Sequence, residues 1–533
     1  MIREDRAARR IKYIIVGVFT VMMVSILFIV VYLFGRTTFI YQRHFLLRQK
    51  WLLMLGCILL GCVCVVMQCT REKQNALSVL SGKNAWIKAV FWLGLLLIQI
   101  CMSWYAYFLT GWDARYILER AYNTAIDPLR IMENDPYFSQ YSNNILVTLL
   151  YRFIMMISFC IAGRQLSIEI CAYILIVLQC AINTCTGILS TRVARKMTGS
   201  QAFSDAIALV YVVFIGISPW VLIPYTDSTG LIIPILMIWI YQSEIRFSSL
   251  KGMIIGILGA VGYRLKPQLA IVFIAIVCME SVVSLSRAGL SGWLRRLLPI
   301  GLSFALAVGS FYQGVLNEIG VTIDPTRGFG LTHYAMVGIN RVTTGTYSPE
   351  DVEFSREIED PQERVRMQIE TIRERLHEMG VTGFAELMKK KTLVNYGDGT
   401  FAWAIEGEFY RDLLPNKDTV FSPFFKDLLE RSSGRFAWLA SWMECIWLTL
   451  LFGCCMVIVP FRRAMKDGEK QNVLCVILLS IIGLTVFEWI FEARARYLYT
   501  YAPFYVLAGM SGLWYTMRAI GRALRRRGMT GST

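Results

Sequence analysis

Residues 11–34 read IKYIIVGVFTVMMVSILFIVVYLF, a run whose one charge, Lys12, stands at its very start. A helix rises about 1.5 Å per residue, so a run of this length covers the roughly 30 Å of hydrocarbon in a bilayer. Runs of the same kind recur along the chain, at 51–69, 86–110, 145–163, 167–190, 206–223, 228–243, 252–263, 268–285, 298–316, 436–460, 473–491 and 497–517. Barrel strands would be about ten residues long and would alternate in polarity, so this pattern specifies helices. Composition agrees: of 533 residues 56% are hydrophobic, 13% aromatic and only 17% charged, more apolar matter than one soluble core can hide. The expected fold class is an all-α polytopic membrane protein.

The basic start, Arg3, Arg6, Arg9, Arg10 and Lys12, leads into a run longer than a signal-peptide core, with no small-x-small cleavage site after it. It reads as a retained first helix. The fourteen cysteines, Cys57, Cys62, Cys64 and Cys69 among them, lie almost wholly in apolar runs and are expected to pack, not to form disulfides or bind metal. The net charge of +16 comes in short clusters between the runs, such as Arg192, Arg195 and Lys196, or Arg287, Arg295 and Arg296. That is the positive-inside pattern; it argues against nucleic acid as a partner and puts both termini in the cytoplasm.

Thirteen crossings would separate the two basic termini, so one run should not cross. The chosen run is 145–163, which carries Arg152 in its middle and follows the polar Ser139–Asn144. It is expected to be a juxtamembrane or re-entrant helix, leaving about twelve crossings. The connector 36–50, with Arg36, Arg43, Arg48 and Lys50, runs against this sidedness. Four units result: an N-terminal hairpin (1–85), a transmembrane core (86–316) with an outer loop at 111–144, an extracytoplasmic insert (317–435), and C-terminal helices with a basic tail (436–533). The insert holds twenty of the 38 acidic residues and fifteen basic ones. Val365, Ile369, Ile372 and Leu376 at helical spacing predict an amphipathic helix lying on the membrane core.

Chemistry is expected at the outer helix ends. Gly111-Trp112-Asp113-Ala114-Arg115-Tyr116 follows the third run, and a carboxylate beside bulky aromatics is poorly solvated and suited to accepting a proton. As a plain alternative, Asp113 closes a helix end between belt aromatics. Tyr263-Arg264-Leu265-Lys266-Pro267 puts two cations inside an apolar hairpin, a costly placement unless they face an anion or water. A lipid phosphate fits them, the guanidinium as a fork and the ammonium as a point charge; snorkelling to headgroups is the alternative. Glu488 and Glu492-Ala493-Arg494-Ala495-Arg496-Tyr497 form a third polar junction, read either as a self-neutralising cluster or as a wall for a charged headgroup.

Together these residues resemble a family. Asp113-Ala114-Arg115-Tyr116, with Glu119 and Ala121 downstream, is similar to the D-E-x-R-Y-A-E-x-A motif of the GT-C glycosyltransferases related to protein O-mannosyltransferases and the aminoarabinose transferase of lipid A. Leu265-Lys266-Pro267 resembles their L-T-K-G-P turn, and Pro224-Tyr225-Thr226-Asp227 falls where they carry a Pro and then an Asp. The likeness covers residues 86–316 and, loosely, the last runs. Ala114 replaces the family's second acidic residue, Tyr141–Leu146 replaces a K-P-P-L stretch, and the insert has no counterpart.

The resemblance implies a GT-C-like fold and transfer of a sugar from a polyprenyl-phosphate donor to an extracytoplasmic hydroxyl of a glycan, teichoic acid or protein, with inversion and without a nucleotide cofactor. It implies Asp113 as catalytic base and Lys266 as a phosphate contact, and a bacterial plasma membrane as the setting. Arg264, Arg494 and Arg496 join Lys266 as candidate phosphate ligands; Arg115, Tyr116, Asn143, Asn144, Asp227 and Glu492 are candidate positioning residues.

No metal ligand set is assigned. Glu133 and Asp135 would suit Mg²⁺ or Mn²⁺, but Asp before Pro136 reads first as a turn. Asp227 has an alternative reading as a helix N-cap. His333, in Thr332-His333-Tyr334-Ala335-Met336, could contact the acceptor or the sugar; a histidine in a large outer loop reads first as a surface polar residue, and no catalytic role is assigned to it. Two other functions stand beside transfer: a multi-pass transporter or flippase of envelope substrates, which should show related halves and midplane charges, and an O-antigen-ligase-like enzyme.

Overall fold

The computed structural model describes residues 6–34, 45–72, 85–127, 135–245, 248–316, 320–406, 420–463 and 467–530. They fold as helices joined by short turns. Much of the connector expected at 36–50, Glu133 and several of the basic connectors lie outside the described residues.

Among the described residues, eight helical stretches are long and apolar enough to cross a membrane, including Arg6–Leu33, Ala85–Ala106, Ile168–Thr198, Gly434–Arg462 and Gly468–Ile490. Gln201–Gly216 and Thr226–Tyr241 are shorter apolar helices. Pro267–Ser310 is two arms, because Gly289 turns the chain with φ 61° and ψ −160°, a backbone that side-chain-bearing residues avoid. The arms lie side by side, with the Trp293 indole donating to Ser281 Oγ at 3.2 Å and Arg296 pairing with Glu280 at 3.0 Å. The arms correspond to the runs expected at 268–285 and 298–316. The described cysteines are free thiols.

Helix Gly434–Cys455 is the hub of the core. It packs on Arg6–Phe28, Gln49–Glu72 and Ala502–Thr530, so the first and last parts of the chain interlock. The chain sorts its charge to two ends. At one end Lys12 donates to the Gly468 carbonyl, Lys196 pairs with Glu244, and Arg296 pairs with Glu280. The other end carries Asp113, Lys266 and Arg496.

Helix Ile145–Ala162, part of the stretch Ser142–Ala162 that is long and apolar enough to cross, packs beside helix Trp112–Ile126. Arg152 donates to the Thr124 carbonyl at 3.2 Å, and just past its end Gln165 donates to Tyr122, whose hydroxyl binds the Leu166 carbonyl. The next helix opens beside the end of Ala85–Ala106, with Tyr173 packed on Trp104 and Tyr107.

The insert is helical. Leu331–Gly338 packs on Pro361–Tyr396, which breaks at Gly380 (φ 53°, ψ −170°), and Pro349–Glu357 caps them. Its buried face differs from the expected one. Val365 and Leu376 are exposed, Ile369 and Ile372 are half-buried, with Ile372 packed against Ile339, Met379 and Leu387, and Arg364 and Gln368 are buried. Arg364 is tolerated inside because it donates to the carbonyls of Thr326, Gly328, Ile358 and Glu359.

Candidate functional site

At the end of Ala85–Ala106 the chain passes Gly111 and enters helix Trp112–Ile126, with Asp113 in its first turn. Trp112 has φ 43°, left-handed backbone that a bulky residue adopts only when its surroundings hold it there. The hold is visible: the indole meets the Tyr225 ring edge-on at 5.0 Å, and the Arg496 guanidinium lies 4.6 Å from its centroid. Asp113 is left half-buried, receiving a hydrogen bond from the Tyr225 hydroxyl at 3.4 Å.

Opposite, helix Ser248–Leu265 ends at Arg264 and Leu265, and Lys266 follows in extended backbone because Pro267 begins the next turn. Lys266 is buried and ion-paired with Asp227 Oδ1, with its ammonium 4.2 Å from the Tyr497 ring. Arg496 approaches the other oxygen of Asp227 at 3.2 Å. Asp227 is not an N-cap, since it sits within the first turn of Thr226–Gly230 and caps nothing. Its charge serves two buried cations that would otherwise be intolerable. Arg264 donates to the Val308 carbonyl at 2.9 Å and lies over the rings of Tyr263 and Phe311. Burial works to raise the Glu492 carboxyl, but Arg494 at 2.8 Å, with Arg496 and the Tyr497 hydroxyl, brings it below the usual range.

The outer loop and the insert complete the enclosure. Asn144 donates to the Tyr137 hydroxyl at 2.7 Å, and Asn143 donates to Asn144 at 3.0 Å. From the insert come Phe329, His333, Tyr334 and Tyr347. Burial pushes the His333 imidazole down to about 4, so it is neutral near pH 7. The insert is fastened to the end of helix Gly468–Ile490. The Ala493 amide donates to the Gly345 carbonyl at 2.7 Å, and Gly338 lies so close to the Ile490 carbonyl that a side chain there would collide with it. Lys391 donates to the carbonyls of Gly338, Trp489 and Phe491 at 2.7, 3.0 and 2.7 Å. Burial pushes its amine down to about 7, whereas three carbonyl acceptors require three N–H groups. The geometry decides in favour of the ammonium form.

These walls bound one cavity of about 990 Å³. Asp113, Tyr116, Asn143, Asn144, Arg264, Lys266, Glu492, Arg494 and Arg496 all line it, as the sequence leads one to expect. Its charged lining is four cations against the carboxylates of Asp113 and Glu492, with Asp227 behind, which suits an anionic ligand. Two expected residues fall elsewhere. Arg115 pairs with Glu119 at 2.6 Å on a face more than one-third exposed, and Asp227 lies beneath the lining. Glu488 is also behind the wall, fully buried, with neither carboxylate oxygen hydrogen-bonded. Asp135 is a turn residue, as its place before Pro136 predicts, accepting from the Tyr137 amide and paired with Arg120 at 2.5 Å.

His333, read first as a surface polar residue and only second as a contact to acceptor or sugar, is buried and lines the cavity. Tyr137, Tyr141, Tyr347 and Tyr497 line it without being assigned to it from the sequence. Tyr137, Tyr141 and Tyr497 stand within a few residues of expected site residues, a usable signal; Tyr347 has none. No curated protein and no solved structure matches the chain. A family model does match, over residues 7–514. The chain therefore belongs to the family described as conserved hypothetical integral membrane protein.

Proposed function

We propose that the chain is a membrane glycosyltransferase that moves a sugar from a polyprenyl-phosphate donor to a hydroxyl on the outer face of the membrane, with inversion. One observation carries the reading: Asp113 opens onto the same cavity as Lys266, Arg264, Arg494 and Arg496, although these come from three distant parts of the chain. The acceptor oxygen attacks the anomeric carbon as its proton passes to the Asp113 carboxylate. The bond from that carbon to the phosphate oxygen breaks, and the electron pair leaves with the phosphate, stabilised by the cations of the opposite wall. Asp227 keeps Lys266 and Arg496 charged and aimed before the donor arrives.

The packing of helix Ile145–Ala162 on helix Trp112–Ile126, with Tyr173 of the next helix beside Trp104 and Tyr107, supports a juxtamembrane segment and about twelve crossings of GT-C-like arrangement. The basic end opposite the cavity supports cytoplasmic termini in a plasma membrane. A glycan, teichoic acid or protein would supply the acceptor hydroxyl.

The deciding experiment measures release of polyprenyl phosphate from a set of polyprenyl-phosphate sugars, with cell-envelope acceptors added, for wild type and Asp113→Asn. Turnover lost in the variant supports the reading. Turnover in both rejects Asp113 as base. Transbilayer movement of the lipid in proteoliposomes without bond cleavage would reject transfer in favour of a flippase.

A further inference from the structure

All the charge of the cavity lies on the walls formed by helix ends around Asp113, Lys266 and Arg496. The wall from the insert is uncharged: the rings of Phe329, His333, Tyr334 and Tyr347 stand among aliphatic side chains such as Val337 and Val352. His333 stacks on Phe329 with centroids 4.3 Å apart and rings 23° from parallel, and Tyr141 meets Phe329 edge-on at 5.6 Å.

Two buried polar side chains, Ser355 and Gln368, together with the half-buried Thr332, serve to hold this one imidazole. Thr332 donates to Gln368 Oε1 at 2.5 Å, and Gln368 Nε2 donates to Ser355 Oγ at 2.9 Å. The Ser355 hydroxyl hydrogen is then left for His333 Nδ1, 2.7 Å away. Ser355 and Gln368 are at most 1% exposed. With Ser355 donating, Nδ1 accepts and the proton of the neutral ring sits on Nε2, the arrangement that gives the serine hydrogen an acceptor. Burying hydroxyl and amide groups away from water is costly unless each is satisfied, and here their pairing fixes the ring's tautomer and orientation.

The geometry points to a carbohydrate subsite on the insert side of the cavity, where His333 Nε2–H donates to a sugar hydroxyl and the aromatic rings around it take the apolar face of the sugar ring. An uncharged ring compound with many hydroxyls matches a neutral aromatic wall with one fixed donor. A cavity of about 990 Å³ has room for it beyond the cationic region. This inference rests on the transferase reading for the sugar's role, but its binding test does not require turnover.

The test is saturation-transfer NMR with methyl hexosides and methyl pentosides, using full-length protein in a detergent without sugar headgroups. The expected result is transfer to ring protons of at least one glycoside, with affinity at least tenfold weaker in His333→Phe and Tyr347→Ala and several-fold weaker in Ser355→Ala. Arg115→Gln, outside the cavity, should retain it, and His333→Gln, which keeps an N–H donor, should bind more tightly than His333→Phe. Melting temperatures of the variants identify any that fail to fold, and Ser355→Ala, which leaves the imidazole in place, then carries the test. Displacement by a non-cleavable polyprenyl phosphonate sugar assigns the subsite to the donor's sugar, and additive binding assigns it to the acceptor. No glycoside binding to wild type, or binding within twofold of wild type in all the folded wall variants, overturns the subsite. Glycoside binding without donor cleavage by any preparation would leave the subsite standing and reject the transferase.

Discussion

Arg496 Nε lies 3.2 Å from Asp227 Oδ2, while Lys266 holds the other oxygen of the same buried carboxylate. Removing that carboxylate leaves two buried cations facing each other. Asp227→Asn should cost about 3–5 kcal/mol of stability. Lys266→Met should cost less, because Arg496 still faces Asp227. Thermal unfolding in detergent orders the two, and a Lys266→Met protein less stable than Asp227→Asn would contradict this account.

Asp113→Asn keeps shape and loses the proton acceptor. If Asp113 is the base, turnover should fall by about a hundred- to ten-thousandfold, with donor binding little changed. The comparison needs a binding measurement beside the rate, since a fall in both would assign Asp113 to positioning.

His333 is held neutral chiefly by burial; Glu492 and Asp351 favour its charge and Arg364 opposes it. Its folded pKa of about 4 lies below the ordinary imidazole value of 6.5, so the unfolded chain takes up a proton first as pH falls. The stability that neutrality provides is complete above 6.5 and is lost toward 4. The loss is on the order of 3 kcal/mol. His333→Gln lacks this titration, so the difference in melting temperature, wild type minus variant, should narrow as pH falls through that window. A constant difference would show that the ring does not titrate there.

Gly338→Ala forces a methyl group into the Ile490 carbonyl. The contact must open, at a cost of about 1–3 kcal/mol. Amide exchange across 331–345 should quicken while the membrane helices stay protected. Unchanged exchange would mean that the insert is held by its other fastenings alone.

Spans and candidate site differ in how far they can be read from sequence. Runs such as 11–34 are dictated by the solvent they must cross, a local constraint. Lys266 and Arg496 are legible for the same reason, since a cation at an apolar helix end demands a partner. Arg115 misleads because a motif ignores helical rotation. Asp113 and Tyr116 are three apart and share a face, whereas Arg115, two on from Asp113, turns away. His333 reads as a surface residue before it reads as a ligand contact because what buries and orients it, Ser355 and Gln368, lies more than twenty residues downstream. The buried face of the insert departs from the apolar spacing of Val365 and Leu376 because Arg364, made tolerable by four carbonyls, outweighs it.

The knot of Gly338, Gly345 and Lys391 against Ile490–Ala493 also serves as a gauge for sorting relatives. A relative with glycine at the first two positions and lysine at the third has its roof seated at the same height over the last two helices. One with a bulky side chain at position 338 must part that contact, so three positions distant in sequence report whether a relative seats its insert the same way.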